Sequence, residues 1–372
     1  MKPFDVYTQW NIHPVRSEGA FVWDDKGKRY LDFYSGHGVI SIGHSHPIWA
    51  ERLKRQIDTL AFYSNAVLNN LQGELAEKMG QLSGYPSYQL FVVNSGAEAI
   101  ENALKVASFF NKKKKVLSFN NAFHGRTTGA LAVTDNLKIQ PAFNKGLDTV
   151  FLPLNDETAL EEALQNKDVT AVLIEGIQGI GGVIEPTAQF LQAAERLCQK
   201  YDAMLVLDEI QSGYGRTGKF FAHQHAGIRP GIITTAKGMG NGFPAGGVLI
   251  HEKIAPYKGM LGSTFGGTHL ACAASIGVLD VIREEGLMEN AAAMGRLLIQ
   301  SLTGISEIKQ IRGKGLMIGL DMGFPVKPLQ KALLKAGIFT GNSKDPHVLR
   351  LLPPLCITQQ DVALFVETLH AG

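Results

Sequence analysis

The chain has 372 residues, of which 45% are hydrophobic and 19% are charged, a composition typical of a globular protein too long for one hydrophobic core. Its net charge of +2 is too small to favour nucleic acid as a partner, and no apolar run reaches the length of a membrane span. Three widely separated cysteines and an N-terminus without the apolar core of a signal peptide predict a reduced, cytoplasmic protein.

The first 50 residues contain VWDDKGKRYLDF, a hairpin-like pattern with Lys-Gly-Lys at its turn. After them, short β-branched runs alternate with helical patterns, and we predict strands at 89–94, 115–119, 169–175, 203–209, 231–237 and 246–250. Because these runs are nearly continuous in apolar residues, they are typical of a mainly parallel sheet covered by helices on both faces. The predicted fold class is therefore α/β.

Helical patterns at 187–201 and 269–286 accompany these strands, and strand patterns return at EIKQIRG and GLMIGLDM. We expect a large α/β domain over residues 51–286 and a smaller α+β domain over residues 287–372. The first 50 residues are expected to pack with the small domain.

Ligands of an open parallel sheet bind beyond the carboxyl ends of its strands. At one predicted end, Asn94-Ser95-Gly96-Ala97 passes directly into a helix. Helix N-terminal amides and the Ser95 hydroxyl would form an anion site suited to phosphate. Ser-Gly is also an ordinary helix N-cap, so both interpretations stay open on this pattern alone.

Two further strand ends carry charged residues. Asp208 and Glu209 end a buried strand and require partners, for which an ion pair or a metal is the alternative to a cofactor. Lys237 stands between a strand and a series of glycines, as either a surface residue or an activated amine. A carboxylate, a lysine and a phosphate loop together match the needs of pyridoxal phosphate, which are a protonated ring nitrogen, a Schiff base and a phosphate anchor.

The strand ends belong to a longer ordered series of motifs. The chain carries VWDDKGKRYLDF, GHSHP, NSGAEA, AFHGRT, LDEIQSGYGRTGK, TTAKGMGNGFPAGG, STFGG, IRGKGLMIGL and LRLLPP. Over nearly its whole length it resembles the class III (ornithine-type) aminotransferases that use pyridoxal 5′-phosphate, in particular the acetylornithine and succinylornithine group. The resemblance implies the fold type I architecture, with a large domain and a smaller C-terminal one.

The resemblance implies where the cofactor is held. Ser95, Gly96 and Ala97 would bind its phosphate, and Phe123 would stack on its ring, with simple core packing as the alternative for Phe123. Thr264 would reach the phosphate of the neighbouring subunit. The implied assembly is therefore a homodimer with shared active sites, in line with the general preference for closed symmetric oligomers.

The atoms of the ring are assigned by the same resemblance. Asp208 would pair with the pyridine nitrogen, Gln211 would hydrogen-bond the phenolic oxygen, and Glu175 would orient groups near the ring edge. Lys237 would form the Schiff base and then carry the proton between substrate and cofactor carbons. Lys237 and Asp208 are thus the implied catalytic pair.

Two arginines match the family's carboxylate-binding positions. By that analogy Arg126 receives the α-carboxylate of an N-acylornithine and Arg350 that of glutamate or 2-oxoglutarate; a surface ion pair is the alternative for each. The implied reaction moves the δ-amino group of N-acetyl- or N-succinylornithine to 2-oxoglutarate, in arginine biosynthesis. Ornithine and 4-aminobutyrate remain alternative donors, and the arginine pair disfavours an aminomutase.

The sequence departs from the family pattern at two informative positions. The family segment Glu-Pro-x-Gln-Gly-Glu ends here in Ile180, in place of a glutamate that neutralises the later arginine in many relatives. Arg350 would then stay available to a second carboxylate, which favours N-succinylornithine over N-acetylornithine as a hypothesis. His37 stands where ornithine aminotransferases tend to carry tyrosine, which argues against free ornithine.

Other functional classes fit less well. A nicotinamide dehydrogenase would need a Gly-x-Gly-x-x-Gly turn after an early strand, whereas the alternating glycines here follow Lys237 late in the chain. A binding protein without catalysis would not need both Lys237 and Asp208. The closely spaced pairs His44/His46 and His223/His225 lack a third ligand at zinc-like spacing, so no metal site is expected.

Overall fold

The structure is a computed structural model that describes residues 1–144 and 146–371. Its strands are β1 Pro14–Glu18, β2 Phe21–Asp24, β3 Arg29–Asp32, β4 Gln89–Val93, β5 Lys115–Phe119, β6 Thr149–Leu152, β7 Val169–Glu175, β8 Met204–Asp208, β9 Ile232–Thr235, β10 Gly246–Ile250, β11 Gln310–Lys314, β12 Met317–Asp321, β13 Ile338–Phe339 and β14 Val348–Leu351. Its α-helices are α1 Ser35–Gly38, α2 Pro47–Thr59, α3 Asn70–Ser83, α4 Gly96–Asn111, α5 Thr128–Ala132, α6 Glu157–Leu164, α7 Ala188–Lys200, α8 His269–Glu284, α9 Leu287–Leu302, α10 Lys327–Ala336 and α11 Gln359–Ala371.

The largest sheet has the strand order β4-β10-β9-β8-β7-β5-β6. β10 runs antiparallel to β4 and β9, and the remaining pairs are parallel, so the predicted mainly parallel sheet is confirmed. Each of the six predicted runs contains a strand of this sheet. The edge strand β6 was missed because its four residues, TVFL, give too short an apolar pattern to separate from a loop.

Both faces of the large sheet are buried. Along β7, Ala171 and Leu173 pack into a cluster with α4, whereas Val172 and Ile174 pack into a second cluster with α7. Alternate residues of a strand point to opposite faces, so a strand covered on both sides must be apolar throughout. The observed burial therefore accounts for the continuous apolar pattern in the sequence.

Side-chain caps define the helices beside the site. The Ser95 hydroxyl accepts a hydrogen bond from the Glu98 amide at 3.2 Å at the start of α4. Thr268 caps α8 in the same way, accepting from the Ala271 amide at 3.4 Å. Each cap satisfies one of the amides that a helix N-terminus leaves without an intrahelical partner.

Two smaller sheets lie outside the large one. The hairpin predicted in the first 50 residues is formed by β2 and β3, and β3 pairs in parallel with β13, from the C-terminal part of the chain. The two predicted C-terminal strands are β11 and β12, in the order β11-β12-β14. None of the helices within the described ranges is long and apolar enough to cross a membrane.

Candidate active site

The carboxyl ends of three neighbouring strands border one cavity of about 320 Å³. Glu175 at the end of β7 is in register with Asp208 at the end of β8, and Asp208 is in register with Thr234 of β9. Lys237 follows β9 and also lines the cavity. The parallel register thus brings together three residues that are far apart in the sequence.

The N-terminus of α4 forms one wall of this cavity through Ser95, Gly96 and Ala97. Its amide groups and helix dipole favour an anion. A Cβ atom at Gly96 would lie 2.9 Å from Ile210, and one at Gly246 would lie 2.8 Å from the Ser95 carbonyl oxygen. The two glycines therefore let the backbone pack closely at the start of α4, where the helix N-terminus suits a phosphate.

Asp208 is buried at the base of the cavity. Its Oδ2 lies 2.6 Å from His124 Nδ1, and its Oδ1 accepts the Ile210 amide at 3.0 Å. Since an ionised carboxylate only accepts, the imidazole donates from Nδ1. The sequence prediction did not assign His124 a role, although the AFHGRT motif contains it.

Glu209, next to Asp208, faces away from the cavity. Its carboxylate accepts hydrogen bonds from His223 Nδ1 at 2.7 Å and from the Ser212 hydroxyl at 2.6 Å. It also accepts two backbone amides, so its buried charge is fully satisfied. The acid pair of the sequence therefore divides into a site residue and a structural one. Within the described ranges, no cluster of three or more His, Cys, Asp or Glu side chains has metal-binding geometry.

Lys237 is a half-buried residue in a strained backbone position, with φ of 44°. Burial lowers the pKa of Lys237, and the positive charge of Arg350 acts in the same direction. Asp208 and Glu175 oppose this shift. A lowered pKa increases the fraction of the unprotonated, nucleophilic amine, the form that Schiff-base chemistry requires.

Glu175 joins two loops that border the cavity. Its Oε1 accepts the Phe123 amide at 2.9 Å, and its Oε2 accepts the Gly179 amide at 3.0 Å. Burial raises the pKa of Glu175 to about 7, with Asp208 adding to the rise. The carboxyl group therefore fixes the loop that carries Phe123, a lining residue of the cavity.

The two predicted substrate arginines have different surroundings. Arg350 is fully buried, and its Nη1 donates to Gln211 Oε1 at 3.1 Å. Arg126 is exposed and has no ion pair within the described part of the chain. Gln211, predicted to contact the cofactor ring, lines the cavity but also donates to the His37 carbonyl oxygen at 2.9 Å.

Tyr34 and His37 lie near Arg350; the sequence analysis did not consider Tyr34 and treated His37 only as a departure from the ornithine-type pattern. The Tyr34 hydroxyl contacts the ring of His37, and burial raises the pKa of Tyr34. Burial lowers the pKa of His37 to about 4, with Arg350 and Lys237 acting in the same direction. Thr264, by contrast, is exposed and does not line the cavity of its own subunit.

Comparison with known proteins gives the family. The family model of class-III aminotransferases matches residues 5–371. The chain belongs to the class-III aminotransferases.

Its relatives match at nearly full length. The chain is 41% identical to an acetylornithine aminotransferase of Archaeoglobus fulgidus, covering 97% of this chain and 96% of the relative. It is 40% identical to an acetylornithine aminotransferase of Bacillus subtilis, covering 98% and 96%. The crystal structure of the ornithine aminotransferase from Toxoplasma gondii superposes with a TM-score of 0.91 at 31% identity, covering 99% of this chain and 92% of that one.

This class-III aminotransferase therefore has the fold type I architecture and uses pyridoxal phosphate. The cavity contains groups that fit that cofactor: an anion site at α4, a buried carboxylate at Asp208 and a half-buried amine at Lys237. As an aminotransferase, it takes an amino donor and an oxo-acid acceptor.

Proposed function

We propose that the protein transfers the δ-amino group of an N-acylornithine to 2-oxoglutarate, in arginine biosynthesis. The observation that carries this proposal is the buried guanidinium of Arg350 beside the cavity that contains Lys237, because it offers a carboxylate site close to the reacting amine. The names of the full-length relatives at about 40% identity support the acylornithine donor.

Residues of this chain would bind the cofactor and transfer the proton. Bound pyridoxal phosphate supplies an electron-withdrawing ring that stabilises negative charge on the reacting carbon. Asp208, held by His124, would keep the ring nitrogen protonated, and Ser95, Gly96 and Ala97 would anchor the phosphate. Lys237 Nζ would bond the cofactor and, once released, would take the proton from the substrate carbon and deliver it to the cofactor carbon to which Lys237 had been bonded.

The remaining residues would position the reactants. Phe123 would cover the ring, and Glu175 would hold the Phe123 loop through the amide hydrogen bond. Gln211 would share its amide between the ring oxygen and Arg350. Arg126, which is exposed and follows the lining residue Gly125, would receive the α-carboxylate of the acylornithine, and Arg350 that of 2-oxoglutarate.

The preferred acyl group of the donor depends on the residue at position 180. Ile180 lines the cavity at the sequence position where many relatives carry the glutamate that neutralises the later arginine. We propose N-succinylornithine as the better donor, since its additional carboxylate finds a cationic rather than a neutralised site.

The proposed function also requires an oligomeric state and a division of the chain into domains. We propose a cytoplasmic homodimer in which Thr264 reaches the phosphate in the partner subunit, since Thr264 is exposed beside the exposed Phe265. We also propose domains at 51–286 and 287–372. The pairing of β3 with β13 supports packing of residues 1–50 on the smaller one.

The direct test is the donor half-reaction. Protein loaded with pyridoxal phosphate is mixed separately with N-succinylornithine, N-acetylornithine, ornithine and 4-aminobutyrate, and the absorbance of bound cofactor is followed. We expect rapid change with the acylornithines, fastest with the succinyl compound, and none in Lys237→Ala. A response to ornithine or 4-aminobutyrate alone would reject the acylornithine assignment, and a faster acetyl compound would reject the argument from Ile180.

A further inference from the structure

The turn that follows β9 contains two residues with side chains in the left-handed region of the backbone. Lys237 has a φ of 44°, and Asn241 has a φ of 49°. This region is unfavourable for residues other than glycine, although asparagine tolerates it better than most. Backbone strain of this kind persists only where the surrounding structure holds the segment in place. The contacts of this turn therefore determine where the Lys237 side chain lies.

Asn241 is buried, and its side chain bonds the backbone of residues 41–43, which follow α1. Its Oδ1 accepts the Ser41 amide at 2.8 Å and the Ile42 amide at 3.2 Å, and its Nδ2 donates to the Gly43 carbonyl oxygen at 2.9 Å. A carboxylate could accept the two amides but could not donate to Gly43. Asparagine thus combines the donor, the acceptor and the tolerance of left-handed backbone that this position needs.

A second side chain joins the same two segments. The Ser41 hydroxyl donates to the Gly238 carbonyl oxygen at 2.8 Å, directly after Lys237. A Cβ atom at Gly238 would lie 3.1 Å from Tyr214 Cβ and 3.3 Å from Ser41 Cβ, so the contact is closely packed. We call these four hydrogen bonds, three made by the Asn241 side chain and one by the Ser41 hydroxyl, the 41–241 clamp.

The two segments joined by the 41–241 clamp both reach the cofactor cavity. Lys237 and Gly242 line it from the turn after β9, and Val39 lines it from the residues after α1. The Gly240 amide donates to the Lys237 carbonyl oxygen at 3.1 Å and closes the turn. A displacement of the clamped turn would therefore move Lys237 relative to the cavity wall. Since misplacing a reacting group by about 1 Å can lower a rate about 100-fold, such a displacement matters for catalysis.

We propose that Ser41 and Asn241 are positioning residues, which hold the turn after β9 in its left-handed form and so direct the Lys237 amine into the cavity. Without the 41–241 clamp, Lys237 relaxes to a more favourable backbone conformation, and its amine no longer lies in a fixed place beside the cofactor. The proposal rests on the proposed attachment of the cofactor to Lys237. It does not depend on which amino donor the enzyme takes.

The test compares two variants of the 41–241 clamp with a matched control. Asn241→Gly keeps the left-handed backbone accessible and removes the three hydrogen bonds of the side chain, whereas Ser41→Ala removes only the bond to Gly238. Asn155→Gly is the control. Asn155 is also left-handed, with a φ of 67°, and its side chain also bonds backbone, accepting the Thr187 amide at 2.8 Å. It lies between β6 and α6 and does not line the cofactor cavity.

The proteins are loaded with pyridoxal phosphate, and two quantities are measured. The first is the visible circular dichroism per bound cofactor, which depends on a fixed orientation of the cofactor and needs no amino donor. The second is the donor half-reaction with N-succinylornithine, analysed as a saturating rate and the donor concentration at half-maximal rate. A denaturant curve of each variant establishes that it is folded.

We expect Asn241→Gly to lower the ellipticity per bound cofactor and to lower the saturating rate about 10-fold or more. The donor concentration at half-maximal rate should change little, because the residues that bind the donor stay in place. Ser41→Ala should show smaller changes in the same direction, and Asn155→Gly should show neither. Wild-type rate and ellipticity in Asn241→Gly, or equal losses in Asn155→Gly, would overturn the proposal.

Two results separate this proposal from the proposed function. No reaction of the wild type with N-succinylornithine would reject that donor, and the ellipticities of the variants would still test the 41–241 clamp. Unchanged ellipticity in Lys237→Ala would reject the attachment of the cofactor to Lys237, and the clamp would then lose its proposed role.

Discussion

At the scale of single side chains, the hydrogen bond between His124 and Asp208 links the loop after β5 to the end of β8 at the cavity. Because His124 is buried and donates to Asp208 Oδ2 at 2.6 Å, it fixes the orientation of the carboxylate that we propose pairs with the ring nitrogen. His124→Ala should weaken pyridoxal-phosphate binding about 10-fold or more, since it leaves a buried carboxylate oxygen without its donor. The measurement is a titration of cofactor into cofactor-free protein.

Asparagine supplies the matched control at this position. Its amide nitrogen occupies the place of Nδ1 and can donate to the same oxygen. His124→Asn should therefore retain most of the affinity that His124→Ala loses. Equal affinity in both variants would contradict a positioning role for this hydrogen bond.

Glu175 makes a prediction about pH. Its pKa is about 7 in the folded protein, above the ordinary value of 4.5 for a glutamate, so the folded state binds the proton more tightly than the unfolded state. This stabilisation is complete below about pH 4.5 and is lost as pH rises through about 7, with a slope of up to about 1.4 kcal/mol per pH unit. Glu175→Gln cannot titrate and removes that contribution.

The expected result is a difference between two denaturant curves. In cofactor-free protein, the free energy of unfolding of the wild type should fall relative to that of Glu175→Gln between about pH 4.5 and 7, and then level off. A difference that is constant with pH would show that Glu175 ionises as an ordinary carboxyl group.

At the scale of elements, the short loop after β7 determines where Gln211 lies. Gly179→Ala would place its Cβ 1.8 Å from Gln211 Oε1, so the amide must move away from Arg350. We expect the KM for 2-oxoglutarate to rise about 10-fold or more, with a stability loss of about 1–3 kcal/mol from overpacking. Steady-state kinetics of both substrates provide the measurement.

Gly73→Ala is the matched control, because no atom lies within 4 Å of its added Cβ on the exposed face of α3. It should leave both KM values unchanged and raise helix stability slightly. An unchanged KM for the oxo-acid in Gly179→Ala would show that Gln211 is not needed to position Arg350 for the oxo-acid.

The strands of the large sheet show how much of the fold and the site could be predicted from the sequence. Apolar runs bounded by polar residues predicted six strands of the large sheet, and three of their ends supplied Ser95, Asp208 and Lys237. The hydrogen bond between Gln211 and Arg350 could not be predicted, because the two residues are 139 positions apart. Their approach depends on how the three-stranded sheet that contains β14 packs against the large sheet. His124 was within a quoted motif, but its partner became evident only from the fold.

At the scale of the whole molecule, the exposed apolar side chains around Thr264 predict an interface. Phe62 packs on Phe265 with ring centroids 5.5 Å apart, yet both remain exposed, as do Tyr63 and Leu68. Such a patch is typical of a contact between subunits. Phe265→Asp should shift the protein from dimer to monomer in analytical ultracentrifugation and should weaken cofactor binding.

An exposed phenylalanine outside this patch provides a control. Phe324→Asp also places a charge on an exposed phenylalanine and should leave both assembly and cofactor affinity unchanged. A wild-type protein that is monomeric at micromolar concentration and fully active would contradict the shared active site.

The central claim is that Lys237 forms the bond with the cofactor. Protein loaded with pyridoxal phosphate can be reduced with borohydride, digested and analysed by mass spectrometry, which fixes the cofactor to whichever lysine holds it. The account predicts cofactor mass on the peptide containing Lys237, and no labelled peptide from Lys237→Ala. Labelling of another lysine at full occupancy, or no labelling of an active enzyme, would contradict it.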